Sequence, residues 1–207
     1  MRIRSTILVV GLVSVCCATT SQFQGWNTLA LTAVEKQQPG APTEKFPVTG
    51  DAYEDQLLKI TWKYNGEALT FSLANNRSSS LRVLWDETAL VSLDGKSHRI
   101  IHNGVRYIDS GKPMSPTVVP AGSSIDEAVM PADGVDLQTG PRSYWSVTPL
   151  VARNATRGAT EDEVRSKLAP GGTARVLLPI EVEAIVTEYT FTVNVIGHIE
   201  PPASPAK

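Results

Sequence analysis

Leu58-Lys-Ile-Thr-Trp-Lys-Tyr-Asn-Gly-Glu-Ala-Leu-Thr-Phe-Ser-Leu73 decides the fold. Leu58, Ile60, Trp62 and Tyr64 alternate with Lys59, Thr61 and Lys63, and Leu69, Phe71 and Leu73 alternate with Thr70 and Ser72. A period of two places each apolar set on one face of an extended chain. Asn65-Gly66 lies between the two runs, and both residues tolerate the positive φ that a two-residue hairpin turn requires. The stretch therefore predicts a hairpin with one face in a core.

The same pattern recurs outward. After the turn cluster at 75–80, Leu81, Val83 and Trp85 alternate with Arg82, Leu84 and Asp86. Asp94-Gly95 turns residues 90–93 back onto 98–101, and Asn103-Gly104 turns that strand onto 105–108. Further strands are expected at 175–178, 180–186 and 188–196, the last with Tyr189, Phe191, Val193 and Val195 on one face. Pro179 interrupts the first of these and belongs at an edge or a bulge. One short helix is expected, where Thr160-Glu-Asp-Glu163 forms a capping box leading into 164–168 and stopping before Pro170-Gly171-Gly172. Many short strands with Gly and Asn turns predict an all-β fold, an antiparallel β-sandwich with a long loop-rich insertion at 109–160.

The ends read differently. Met1-Arg-Ile-Arg4 is basic and residues 7–15 are apolar except Gly11 and Ser14, the form of a secretory signal at 1–18. That run is shorter than the about 20 residues a membrane-spanning helix needs. Cys16 and Cys17 are the only cysteines in the 207 residues, so no disulfide framework, cysteine zinc site or thiol nucleophile is expected in the domain. Their place at the end of a signal makes Cys17 the expected lipid acceptor, with Cys16 as the alternative and simple cleavage after Ala18 as the other. Residues 19–56, with Gln37-Gln-Pro-Gly40, Pro42 and Pro47, read as a tether. Trp26-Asn-Thr-Leu-Ala-Leu31 is an apolar island in it, either a short docking strand or a remnant with no fixed place. The domain is then expected at 57–199, and 200–207 reads as a disordered tail.

Hydrophobic residues make up 42% and charged residues 19%, the balance of a globular protein. The formal charge is −2, and it becomes −4 when Arg2 and Arg4 leave with the signal. A weakly acidic chain is a poor nucleic-acid binder, because phosphate contacts need clustered Lys and Arg.

Several segments together resemble an uncharacterised bacterial lipoprotein family. They are Trp85-Asp-Glu87, Asp94-Gly-Lys-Ser-His-Arg99, His102-Asn-Gly-Val105, Pro116-Thr-Val-Val-Pro120, Met130-Pro-Ala-Asp133 and Leu178-Pro-Ile-Glu-Val182 with Tyr189-Thr-Phe191. The resemblance spans roughly 57–196 and implies an exported immunoglobulin-like sandwich with no assigned enzymatic activity.

Chemistry is sparse. His98 and His102 sit about 13 Å apart if they share a strand, too far for one metal ion. Asp86-Glu87 and Asp126-Glu127 are acidic pairs, and a hydrolase built from Asp86, Glu87 or Asp126 with His98 or His102 would need them to converge. Gly95-Lys96-Ser97 lacks the first glycine and the helix of a phosphate loop, and Ser97 has no nucleophile-elbow context. No cofactor motif or metal-ligand set is legible. Arg142, Tyr144 and Trp145, in a proline-punctuated stretch, form the best binding surface, because adjacent strand residues face opposite ways and one aromatic must be exposed.

The expected function is a non-catalytic, exported envelope protein, lipid-anchored in the outer membrane and facing the periplasm or the surface, that binds a protein or a surface polymer. The alternatives are a periplasmic inhibitor or immunity-type protein and the hydrolase.

Overall fold

A computed structural model describes residues 26–64, 68–148, 150 and 172–199. The chain forms β1 (Trp26–Gln37), β2 (Glu44–Gly50), β3 (Ala52–Glu54), β4 (Leu58–Tyr64), β5 (Leu69–Asn75), β6 (Leu81–Val83) and β7 (Ala89–Val91). It continues as β8 (Ser97–His102), β9 (Thr117–Val119), β10 (Ser124–Pro131), β11 (Val135–Gln138), β12 (Tyr144–Val147), β13 (Thr173–Val182) and β14 (Ile185–Ile199).

β4 and β5 pair antiparallel with Trp62 opposite Phe71, and Leu58, Ile60, Trp62, Leu69, Phe71 and Leu73 are buried, as the period of two requires. The Asn65-Gly66 turn between them lies outside the described residues. From this hairpin the sheet runs β2-β1-β14-β13-β7-β8-β10-β5-β4-β3, with β6 joined to β13 and β9 to β6, twelve strands in all. Two devices wrap it into a nearly closed, barrel-like sheet. β8 divides its partners, with Ser97–Arg99 against β7 and residues 100–102 against β10. β2 and β3 are separated by Asp51 alone, yet β2 pairs β1 while β3 pairs β4, so one bent segment joins both ends of the strand order. Gly50 makes the bend at φ +114°, a conformation that side-chain-bearing residues rarely adopt.

The core is aromatic at its centre. Trp62 lies 4.7 Å from Phe71 and 5.2 Å from Phe191 between ring centroids, and Phe71 reaches Trp85 at 6.5 Å. Trp85, Tyr189 and Phe191 are fully buried, each worth about 1.5–3 kcal/mol of apolar transfer or more. Where β1, β14 and the segment after β3 meet, Asp55 collects the amides of Leu57 and Leu58, the Lys36 ammonium at 2.8 Å and the Tyr189 hydroxyl at 2.8 Å. Burial and then the Asp55 charge raise Tyr189 and Tyr53 well above the usual phenol range, so both stay neutral donors.

Four expectations are corrected. The tether expected over 19–56 is, from Trp26 on, part of the fold: β1 pairs β14 along its whole length and β2 and β3 close the sheet. The sequence obscured this because Pro39-Gly40 and Pro42 belong to the turn between β1 and β2 and not to a spacer. The insertion expected over 109–160 contains β9 to β12, and β10 is an interior strand between β5 and β8. Residues 105–108 are not a strand; Gly104 turns the chain at φ +84° into a 3₁₀ turn, Tyr107–Asp109. The final hairpin turns at Glu183-Ala184, with both residues at positive φ, so β13 ends at Val182 and β14 begins at Ile185.

Pro179 lies inside β13, an interior strand between β14 and β7, and not on an edge strand. Its carbonyl accepts from Leu84 on the side facing β6 and β7, at the step between those two partners. A residue's N and carbonyl point the same way in a strand, so the missing donor falls opposite Leu84, whose carbonyl accepts instead from the Glu87 amide and the Thr88 hydroxyl. Residues 160–168, the signal, the cysteines and the 200–207 tail lie outside the described residues, and no helix of seven or more residues occurs among the described ones.

Candidate functional site

The excursion from the end of β8 to β9 encloses an open cleft of about 460 Å³, lined almost entirely by residues 102–115. Arg99 holds that loop in place: its guanidinium donates to the carbonyls of Gly111 at 3.0 Å and Lys112 at 2.5 Å and to Asp86 at 2.9 Å. Asp86 also accepts from the amide of Met114 at 2.9 Å, so a carboxylate considered for catalysis is a loop anchor. Within the loop Asp109 takes Lys112 and Arg106, each at 2.7 Å. Hydrogen bonds from Lys112 and then Arg106 hold its carboxyl below the usual range.

His102 lines one wall. Its ring stacks on Trp85 with centroids 4.1 Å apart and planes 9° from parallel, and its Nδ1 lies 3.4 Å from Glu127. Trp85 is itself held by a 2.7 Å bond from its indole N–H to Thr117. The imidazole is therefore fixed by packing on one face and by a carboxylate at one edge.

Beside the cleft stands a separate two-stranded sheet, β11 against β12, with Leu137 opposite Trp145 and Gln138 opposite Tyr144. Tyr144 is 62% exposed, Leu137 49% and Trp145 39%. The sequence required one of the two adjacent aromatics to be exposed; both are, because this hairpin lies outside the main sheet. Arg142, in the turn between β11 and β12, is exposed as well. Tyr107 of the cleft loop meets Trp145 edge to face at 5.6 Å, and its neighbour Ile108 is 73% exposed. Tyr107, Ile108 and Leu137 were not singled out in the sequence, since nothing in a turn or a four-residue strand marks them as joining Trp145.

The expected hydrolase residues do not converge as proposed. Asp86 pairs with Arg99, Glu87 is exposed, and the backbone carbonyl of Asp126 accepts from the Asn103 side-chain Nδ2 at 3.3 Å. The two histidines find other acids: His102 has Glu127, and His98 has Asp133, whose Oδ2 is 2.8 Å from Nδ1. On its other edge His98 Nε2 is 2.9 Å from the Ser92 hydroxyl, a hydroxyl–imidazole–carboxylate order that also occurs in nucleophilic triads. Ser92, however, lies 2.5 Å from Asp94 Oδ1 and donates its one proton there. Ser92 and the Lys96 amide in turn hold the Asp94 carboxyl well below the usual range. Among the described residues no group of three or more His, Cys, Asp or Glu could hold a metal ion, and no helix is long and apolar enough to cross a membrane.

No protein-family model, curated protein or solved structure matches the chain.

Proposed function

We propose that the protein is a non-catalytic binding module of the cell envelope, an immunoglobulin-like sandwich exported by residues 1–18 and tethered through a lipid on Cys17. The observation that carries the binding reading is the exposed aromatic surface: Tyr144, Trp145 and Leu137 on a hairpin outside the main sheet, meeting Tyr107 of the neighbouring loop. Large aromatic side chains left in water beside polar groups are the composition of recognition surfaces. Packing of Trp62 on β4 against Phe191 on β14, strands far apart in the sheet order, supports the sandwich reading. The partner is a protein or a surface polymer.

A photo-reactive benzoylphenylalanine placed at Tyr144 tests this in intact cells, with the same group at the exposed Ile185 of the β13–β14 turn as control. Adducts from position 144 alone are expected. Equal labelling from both positions, or none from either, overturns the assignment of the surface. Mass spectrometry of the mature N-terminus tests the anchor, since an unmodified chain beginning at Thr19 removes it.

A further inference from the structure

The aromatic surface and the cleft share a loop: Arg106 lines the cleft, and the ring of the next residue, Tyr107, meets Trp145. The cleft side is cationic. Arg106 and Lys112 share a single carboxylate, Asp109, so one positive charge at the mouth is left unneutralised. Both side chains are largely exposed, at 77% and 69%, and an incoming anion reaches them without stripping water from a buried group. The guanidinium keeps N–H donors that Asp109 does not use, in the fork geometry that matches a carboxylate. His102 adds a fixed polar edge: with Nδ1 toward Glu127 and the ring stacked on Trp85, its Nε2 has no protein partner among the described residues.

A ligand complementary to both halves carries a flat, weakly polar ring face for Tyr107 and Trp145, and a carboxylate for Arg106 and Lys112. Sugar rings present such faces of C–H bonds to aromatic side chains, and acidic sugars carry the carboxylate on the same ring. We propose that this surface binds a carboxylate-bearing glycan, with the sugar ring against Tyr107 and Trp145 and the carboxylate in the cleft toward Arg106 and Lys112. The proposal rests on the binding reading above and names its partner chemistry. One unneutralised positive charge falls short of the clustered Lys and Arg that a nucleic acid needs.

Affinity electrophoresis of the full chain tests this with two matched polymers, polygalacturonate and its methyl ester, which keep the ring and differ in charge. Retardation by polygalacturonate is expected, with about tenfold weaker binding to the ester. Trp145→Ala and Tyr107→Ala are each expected to lower affinity for polygalacturonate about tenfold. The pair Arg106→Gln with Lys112→Gln lowers it by a similar factor while leaving the weak binding to the ester unchanged. Lys63→Gln, on the exposed face of β4, changes nothing. Melting temperatures of the variants separate lost contact from lost fold, and two aromatic variants keep the test decisive if one fails to fold. Equal retention by both polymers, or retention indifferent to both aromatic variants, reduces the interaction to diffuse electrostatics and overturns the proposal. Retention by neither polymer, with cross-links still forming from position 144 in cells, removes the glycan and leaves the binding surface; loss of both removes the surface as well.

Discussion

The Asp55 carboxylate accepts a 2.8 Å hydrogen bond from the hydroxyl of Tyr189, 134 residues further along the chain. Lys36 reaches the same oxygen from β1 at 2.8 Å, and the two side chains of this ion pair are only 18% and 13% exposed. One carboxylate thus ties together three segments that are distant in sequence, beside the bend that closes the sheet. Burial pushes the Asp55 carboxyl up, but the bonds from Lys36, Leu58, Tyr189 and Leu57 together outweigh it and hold the group below its usual range. A depressed folded-state value means the contribution is fully present above the unfolded carboxyl value of about 3.9 and is lost as pH falls through the folded one.

Asp55→Asn is therefore expected to cost about 2–3 kcal/mol at neutral pH, because Lys36 loses its counter-charge in a mostly desolvated place. The same variant loses less stability than the parent between pH 5 and pH 2, since the titrating group is gone (roughly the window of an Asp so depressed). Urea unfolding at pH 7, pH 5 and pH 2 measures both effects. A variant as stable as the parent at pH 7 removes Asp55 from the closure.

Asn75 is a buried polar hub of the opposite kind. Its Nδ2 lies within 3.1 Å of the carbonyls of Ser79, Val119 and Pro120, and its Oδ1 accepts from the Arg77 amide at 2.8 Å. The side chain joins the turn after β5 to the end of β9. Asn75→Asp puts an acceptor among three acceptors and is expected to cost about 3 kcal/mol or more, exceeding the about 2 kcal/mol of Asn75→Ala. Denaturant midpoints of the two variants decide it; an aspartate variant more stable than the alanine one contradicts the donor role.

Two of the turns at positive φ call for opposite substitutions. Gly50 sits at φ +114° with no atom within 4 Å of where a Cβ would stand, so Gly50→Ala is penalised by conformation and not by space. A loss of about 1–2 kcal/mol is expected. Glu183 and Ala184 turn the β13–β14 hairpin at φ +51° and +63°, a two-residue geometry that Asn-Gly satisfies better. Replacing them by Glu183→Asn with Ala184→Gly is expected to raise stability by about 1 kcal/mol, read as a higher urea midpoint with an unchanged slope.

That second turn also shows where the sequence stops being legible. β4 and β5 are readable because their apolar residues alternate, and β7 and β8 because Asp94-Gly95 stands between them. Glu183-Ala184 carries no turn chemistry, and the long register of β14 imposes the turn from outside. β1 hides for a related reason: Leu31 and Val34 are its inward residues, and the irregular register between Leu31 and Ala33 breaks the period of two. The site was half legible. Tyr144 and Trp145 follow from strand alternation, whereas the union of Tyr107 with Trp145, and of His102 with Glu127, exists only once the sheet curls. Asp86, Glu87 and Asp126 are therefore not the partners of His98 and His102, which pair with Asp133 and Glu127.

Ser92, His98 and Asp133 provide the last discrimination, between a binding module and a hydrolase. A serine nucleophile needs its proton delivered to the imidazole, with Nε2 as acceptor, while it attacks. Here the proton goes to Asp94, which also takes the Lys96 amide at 3.1 Å, so the hydroxyl is a strut of the β7–β8 turn. Incubation with a fluorophosphonate is accordingly expected to leave the mass of the protein unchanged. Ser92→Ala, by freeing Asp94 and one edge of His98, is expected to lower the urea midpoint slightly. The variant Asp94→Asn sharpens the test, because an amide still accepts from Ser92 but carries no charge to compete for its proton. If the parent chain or this variant gains a stoichiometric adduct on Ser92, the turn holds a working nucleophile and the non-catalytic reading falls.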